Sequence, residues 1–361
     1  MDISRDDRYM RGKMKILLVS PLPPPVGGIA TWTEKYKKYC DENNIDLSIV
    51  NIALNGERAK RINSNRNFKD EISRTFSVLS DFKKQIKFFS PDIVHINSAC
   101  SNFGVFRDCL CTLVAYRRHI PVVLHCHCNI QSQIHNKLSV RVLKYMMDKA
   151  DYVILLNKKS LQYAEKLTTT DMKIVPNFIE EEMISSSFTV REEIKEVIFV
   201  GHVQPAKGCR EIIEAAEKLP QIHFSLVGPI SSEIAAMNCC DNVSLVGAKV
   251  SHDIKGYLEQ ADVYLLPSYT EGFSISLTEA MAVGMPTIVT DVGANSDMVE
   301  KNGGIVIPVK SSEAIVTALK QISGKEIRKS MSTWNINKVK NNYLLNIVME
   351  HLVNIYKEVL K

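Results

Sequence analysis

Two glutamates, Glu271 and Glu279, stand with seven residues between them in the run S-Y-T-E-G-F-S-I-S-L-T-E-A-M-A-V-G-M-P-T-I-V-T-D-V-G, Ser268 to Gly293. Gly272 supplies a turn after the first of them. Ser274 to Val283 has helical composition and stops at Gly284, with Pro286 just beyond. Thr287-Ile288-Val289-Thr290 then reads as a buried strand. This spacing puts Glu271 on a loop at the mouth of a helix and Glu279 about two turns inside it. The first amides of that helix, near Phe273, Ser274 and Ile275, are donors at the positive end of its dipole, a place for an anionic group such as a diphosphate. Carboxylates accept hydrogen bonds, so two of them beside an anion site suit the hydroxyls of a sugar nucleotide.

A second candidate is Val200-Gly201-His202-Val203 followed by Lys207-Gly208. An ammonium on a loop at the carboxyl end of a strand lies where a phosphate would. Gly27-Gly28 follows the first strand, and two glycines let the backbone turn and approach a ligand closely. The absence of G-x-G-x-x-G disfavours a dinucleotide cofactor. His125-Cys126-His127-Cys128 invites a metal. In a strand, however, the two histidines share one face and the two cysteines the other, so the four cannot grip one tetrahedral ion. The expectation is no metal and no bound cofactor.

The Glu271–Gly293 stretch closely resembles the signature of the retaining glycosyltransferases of family 4, roughly E-G-F-x-x-x-x-x-E-A-M-A-x-G-x-P-V-I-x-T followed by a glycine, with Thr287 as the departure. The resemblance covers nearly the whole chain from Met14. It implies the GT-B fold, an α/β architecture of two Rossmann-like parallel-sheet domains facing a central cleft, with a C-terminal helix crossing back to the N-terminal domain. It implies a nucleoside-diphosphate sugar, UDP- or GDP-linked, as donor. The acceptor would be a hydroxyl of a glycan or a polyprenyl-phosphate-linked sugar, in cell-surface polysaccharide synthesis. By the same resemblance Lys207 clamps the diphosphate, with Gly201 and His202 beside it. His202 stands where arginine is usual, and a neutral imidazole cannot make a guanidinium's bidentate contact. Gly27 and Gly28 lie against the diphosphate, and the loop ending at Val250 holds the base through its backbone. Glu271 holds sugar hydroxyls, Glu279 accepts from the ribose, and Gly272, Phe273, Ser274 and Ile275 line the donor. His127, six residues after Pro121, faces the donor sugar near the reacting centre. His125 is supporting or acceptor-facing, and Asn97 and Ser98 meet the acceptor. Pro176-Asn177 is hinge structure. No nucleophile stands near the motif, and a front-face route, in which the leaving phosphate takes the acceptor proton, needs none. Two other readings stay open: an epimerase or hydrolase of sugar nucleotides on the same fold, and a non-catalytic nucleotide-sugar-binding partner.

Elements must position these residues. Apolar residues make up 45% of the 361-residue chain, enough for two cores. Short apolar runs alternate with helical patterns throughout, which argues for parallel sheets covered on both faces. The expected N-terminal domain spans 14–178, after a frayed tail at 1–13, and takes back a helix at about 340–361. The donor domain spans 190–335, and 176–189 reads as the linker. Residues 71–89 form a helix with Phe76, Leu79, Phe82 and Ile86 on one stripe, and 136–149 a helix with Leu138, Val142 and Tyr145 on one face. Residues 335–361 read as one final helix. No apolar run is long enough to span a membrane, and the charged start is no secretory signal. Nine cysteines then read as reduced thiols of a cytoplasmic protein. Residues 1–180 hold 28 basic and 18 acidic residues, a net of +10, whereas 181–361 hold 17 and 22, a net of −5. A basic first half suits an anionic membrane surface at the inner face of the cell membrane; no nucleic acid is expected.

Overall fold

The computed structural model describes residues 13–24, 27–53, 68–186 and 188–361. The expected tail therefore falls almost wholly outside the described residues. The chain divides into two compact units, Met1–Val175 with Glu350–Lys361, and Pro176–Met349.

In the first unit the chain runs β1 (Met14–Ser20), α1 (Gly28–Glu42), β2 (Ile45–Asn51), α2 (Phe68–Phe89), β3 (Ile93–Ser98), α3 (Gly104–Tyr116) and β4 (Val122–Cys126). It continues through α4 (Ile130–Gln133), α5 (Lys137–Met147), β5 (Tyr152–Leu155), α6 (Lys158–Ala164) and β6 (Met172–Ile174). The six strands are parallel, in the order β2-β1-β3-β4-β5-β6. Every residue of β3 and β4 is buried, the polar His95, Asn97, Ser98 and His125 included, as strands of a parallel sheet covered on both faces should be. Because β1 pairs with both β2 and β3, the connections leave β1 and β3 in opposite directions, and a crevice opens at their carboxyl ends. The Gly27-Gly28 turn and Asn97-Ser98 both stand there.

The second unit runs β7 (Glu196–Val200), α7 (Cys209–Glu217), β8 (His223–Val227), α8 (Ser232–Ala235), β9 (Val243–Gly247), α9 (Ser251–Gln260) and β10 (Val263–Leu266). It closes with α10 (Ile275–Ala282), β11 (Thr287–Thr290), α11 (Asn295–Val299), β12 (Gly304–Ile307), α12 (Ser312–Gln321), α13 (Lys325–Asn342) and α14 (Leu345–Val359), which belongs to the first unit from Glu350 on. The sheet is again parallel, in the order β12-β11-β10-β7-β8-β9, with its reversal between β7 and β10. The expected two-sheet α/β architecture is the one observed.

Four expectations change. The final helix is two helices, because Tyr343 and Leu344 leave helical geometry to pair with Ile179: Ile179 N donates to the Tyr343 carbonyl (2.9 Å) and Leu345 N to that of Ile179 (3.0 Å). The same pairing makes the segment read as a linker part of a packed structure, with Phe178 and Ile179 buried. Phe76, placed on the buried stripe of α2, is 68% exposed, while Phe82 and Ile86 are buried. In α5 the face of Leu138 and Tyr145 is the exposed one, and Ser139, Leu143 and Met146 face inward. Both faces of α5 carry apolar residues, so periodicity alone does not choose between them.

Candidate active site

The second unit assembles its charged residues at the reversal between β7 and β10. After β7 the chain turns at Gly201 and runs through a short 3-10 turn, Pro205–Lys207, into Gly208, which holds φ +75°. A Cβ at Gly208 would lie 2.2 Å from the Pro267 carbonyl oxygen, so only glycine brings this loop against the end of β10. That approach puts Lys207 Nζ 2.6 Å from Glu271 Oε1, which also accepts from Ser268 Oγ at 2.8 Å. The pair is mostly withdrawn from water, with side-chain exposures of 25% and 11%.

Glu271 is followed by α10, as its sequence requires. Ser274 is the N-cap, and its Oγ accepts from Leu277 N at 3.2 Å. The helix ends before Gly284, at φ +85°. Capping satisfies Leu277, so the amides left ahead of the first helical acceptor are those of Ile275 and Ser276. Phe273 turns its ring inward, edge-on to Tyr343 at 5.4 Å, so its place at the helix mouth is taken by backbone. Gly293 presses the Glu271-Gly272 backbone, and Ala294 N donates to the Gly272 carbonyl at 3.0 Å. Tyr264, on β10, donates to or accepts from Ser276 Oγ at 2.8 Å. Burial first, and then the charges of Glu271 and Glu279, push its phenol well above the usual range, so Tyr264 stays neutral beneath the two carboxylates. His202 is exposed beside this loop, and Val250 is exposed at the start of α9. The sequence pattern contains no hint of Tyr264 or Ser268 as supports for the carboxylates, because both sit in ordinary strand and loop composition.

The first unit brings His95, His125 and His127 together with Trp32, Tyr36 and Tyr356. The rings of His125 and His127 are 3.8 Å apart, centroid to centroid, and Trp32 meets all three histidines edge-on. Tyr356 from α14 bonds Tyr36 (2.9 Å) and His95 Nδ1 (2.5 Å). His127 Nε2 is 3.0 Å from Asn97 Oδ1, and Asn97 Nδ2 donates to Ser20 Oγ at 2.9 Å. The amide's own donor is therefore used on Ser20, its oxygen must accept, and His127 carries its proton on Nε2. Burial pushes His95 and His127 down to about 3. Burial first, then His127 and His95, holds His125 well below the usual histidine range. All three are neutral near pH 7. His125 is 1% exposed, and neither ring nitrogen has a protein partner. Among the described residues no group of three or more His, Cys, Asp or Glu side chains is arranged to hold a metal ion.

Ser98 is turned from the surface: its Oγ donates to Asp108 Oδ2 at 2.7 Å. Arg107 donates to Asp108 Oδ1 through Nε (2.9 Å) and Nη2 (2.6 Å). Burial alone pushes the Arg107 guanidinium down, and the Asp108 carboxylate more than offsets it. Arg107 and Asp108 are the only charges in α3. Two adjacent opposite charges in an apolar helix are a usable signal of a buried ion pair.

Comparisons with known proteins agree with this fold. Residues 26–183 match the family model described as Glycosyltransferase Family 4, and residues 180–338 that described as Glycosyl transferases group 1. The Bacillus subtilis glycosyltransferase TuaC, which carries a provisional assignment to teichuronic acid biosynthesis, is 28% identical over 255 residues, 66% of this chain and 63% of its own. The chain thus spans somewhat under two thirds of that relative. The Escherichia coli UDP-Gal:alpha-D-GlcNAc-diphosphoundecaprenol alpha-1,3-galactosyltransferase is 24% identical over 320 residues, 78% of this chain and 80% of its own. Sucrose-phosphate synthase from Thermosynechococcus elongatus shares the fold with a TM-score of 0.77 at 16% identity, over 96% of this chain and 99% of its own. With the two family models together covering residues 26–338, the chain belongs to the family 4, group 1 glycosyltransferases of the GT-B fold.

Proposed function

We propose that this glycosyltransferase moves a hexosyl group from a UDP-sugar to a hydroxyl of a lipid-linked glycan during cell-surface polysaccharide assembly, with retention and without a metal. The observation that carries the reading is the Lys207–Glu271 pair at the β7/β10 reversal, beside the mouth of α10. An ammonium has three donors. One meets Glu271, and the others suit a diphosphate, whose growing charge on departure the lysine and the Ile275 and Ser276 amides stabilise. Glu271 then faces sugar hydroxyls and Glu279 the ribose. The names of the Bacillus and Escherichia relatives support the polysaccharide setting, the uridine nucleotide and the lipid-diphosphate acceptor. Calorimetry should show UDP binding that exceeds GDP binding. Transfer from a UDP-hexose should persist in excess EDTA. Absence of nucleotide binding would refute the reading, and activity lost on chelation and restored by a divalent ion would refute the metal-free route. A free sugar or an epimerised nucleotide sugar as the sole product would point to the hydrolase or epimerase alternative.

An anionic membrane surface is the second partner we propose. No described helix is long and apolar enough to cross a membrane. The exposed faces of α2, α3 and α5 nevertheless carry Phe76, Phe88, Leu110, Leu138 and Tyr145, and α3 packs against both α2 and α5. Lys83, Lys84, Lys87, Arg117, Arg118, Arg141 and Lys144 are exposed on or just after the same helices. Apolar side chains among basic ones suit an anionic lipid interface. Vesicles containing phosphatidylglycerol should sediment the protein, neutral vesicles should not, and salt should weaken the association. Equal failure with both would show the charge to be solvated surface.

A further inference from the structure

One side of α13 is built from residues that helix propensity does not favour. Ser330, Trp334, Asn337 and Asn341 recur at spacings of four, three and four, so they share a face. Ser330, Asn337 and Asn341 are exposed there and Trp334 is half-buried. Serine and asparagine are poorer helix formers than the glutamate, lysine or alanine that serve an ordinary solvated surface. Neither Asn337 nor Asn341 hydrogen-bonds another side chain or the backbone through its carboxamide among the described residues. The indole is held in place, because a Cβ at Gly303 would lie 2.6 Å from Trp334 Cζ3 and only glycine lets the ring seat there. Lys338 Nζ lies 5.6 Å from the ring centroid and donates to Glu300 Oε1 at 2.5 Å. Shallow grooves of about 490 Å³ and 280 Å³ run toward the start and the end of α13, and Trp334 and Asn337 line both. Glu300 and Gly303 precede β12, at the amino ends of the parallel strands, whereas Lys207 and Glu271 follow the carboxyl ends of β7 and β10. The face therefore lies at the opposite end of the second sheet from the Lys207–Glu271 pair.

A sugar ring has an apolar C–H face and a rim of hydroxyls that both donate and accept. A seated indole offers a flat apolar surface to the first, and a carboxamide offers a donor and an acceptor to the second. The other occupants fit less well. A nucleic acid needs cations for its phosphates, but Lys338 is spent on Glu300, and the charged residues of the two grooves, Glu300 and Glu326 against Lys329 and Lys338, cancel. A protein partner needs a wider apolar surface than one half-buried ring. We propose that this face binds a neutral glycan chain, one sugar ring lying on Trp334 and its hydroxyls bonded to Asn337 and Asn341. Being remote from the reacting groups, the site tethers a chain and does not read the sugar being extended. Tethering raises the effective concentration of a long acceptor over a short one. The proposal stands independently of the nucleotide reading above.

Fluorine NMR on the full chain tests it. Labelling with 5-fluorotryptophan gives two signals, one from Trp32 and one from Trp334, and Trp334→Phe assigns them. Maltohexaose, cellohexaose and a hexamer of N-acetylglucosamine, at millimolar concentration, are the neutral probes. Every pyranose presents a C–H face, so stacking tolerates the differences among them. A galacturonate hexamer and single-stranded DNA are the anionic arms. At least one neutral hexasaccharide should move the Trp334 signal, and at a lower concentration than either anion. The double variant Asn337→Ala/Asn341→Ala removes both carboxamides and puts the best helix former at two exposed positions, so it keeps the fold. It should weaken the response about tenfold, while UDP affinity, titrated on the same samples, stays unchanged. Three results would each overturn the proposal: a Trp334 signal that none of the neutral hexasaccharides moves, one that an anion moves more readily, or a response undiminished in the double variant. If the wild type binds no UDP, the nucleotide reading fails, and the response of Trp334 still decides the glycan site.

Discussion

Replacing Lys207 with methionine should lower kcat for transfer by about 10²–10³-fold, the usual loss when one preorganised stabiliser of developing charge is removed. Lys207 reaches Glu271 at 2.6 Å from a loop that Gly208 holds against the end of β10, so its charge is already in place before a diphosphate arrives. The substitution also leaves Glu271 without its cation in a largely buried position, and that carboxylate then opposes an incoming phosphate. The double variant Lys207→Met/Glu271→Gln separates the two effects. It should recover the stability lost by the single variant but not the activity. Circular dichroism establishes folding, and single-turnover transfer measures the chemical step. A folded Lys207→Met enzyme retaining more than about a tenth of kcat would remove Lys207 from the phosphate site.

Acidification from about pH 7 to about pH 5 should destabilise the first unit by roughly 2 kcal/mol for each of His95 and His127. Both have a folded-state pKa of about 3, against 6.5 in the unfolded chain. The depression makes the unfolded chain bind more protons than the folded one between those values. Stability is therefore complete above pH 6.5, falls by about 1.4 kcal/mol per pH unit per histidine below it, and levels off near pH 3. His125 acts in the same direction. Losses of this size are large beside the roughly 5–15 kcal/mol of a typical domain. The physical cause is the shared burial of three imidazoles around Trp32, where a charge on one finds no carboxylate and two like neighbours. Urea unfolding followed by Trp32 fluorescence in a Trp334→Phe background, from pH 7.5 to pH 5, measures the slope. His95→Gln, which keeps a polar partner for Tyr356, should flatten it by about one histidine's share, while carboxylate contributions cancel in the comparison. Equal slopes in variant and wild type would show that these histidines do not govern acid stability.

Much of this protein was legible in its sequence, because much of it is set locally. The apolar starts of β3 and β4, Ile93-Val94 and Val122-Val123-Leu124, mark buried strands, and Thr287–Thr290 is the strand its composition indicates. The Glu271–Gly293 stretch carries its own instructions: Ser274 caps the helix, Gly284 stops it, and Glu271 must precede its first amides. What the sequence left open is everything that depends on which elements become neighbours. Lys207 and Glu271 are 64 residues apart and meet because β7 and β10 pair at the reversal of the second sheet. Arg107 and Asp108 stand out as the charges of an apolar helix, but that Ser98 of β3 closes the pair is seen only in the fold. The outward face of α5 and the break at Tyr343 follow from what those helices pack on, since both faces of α5 are apolar and Leu344 is drawn to Ile179. Capping and periodicity act over a few residues, so composition records them. Strand order and buried charge pairing are decided by crossovers through the core, and only the tertiary structure states them.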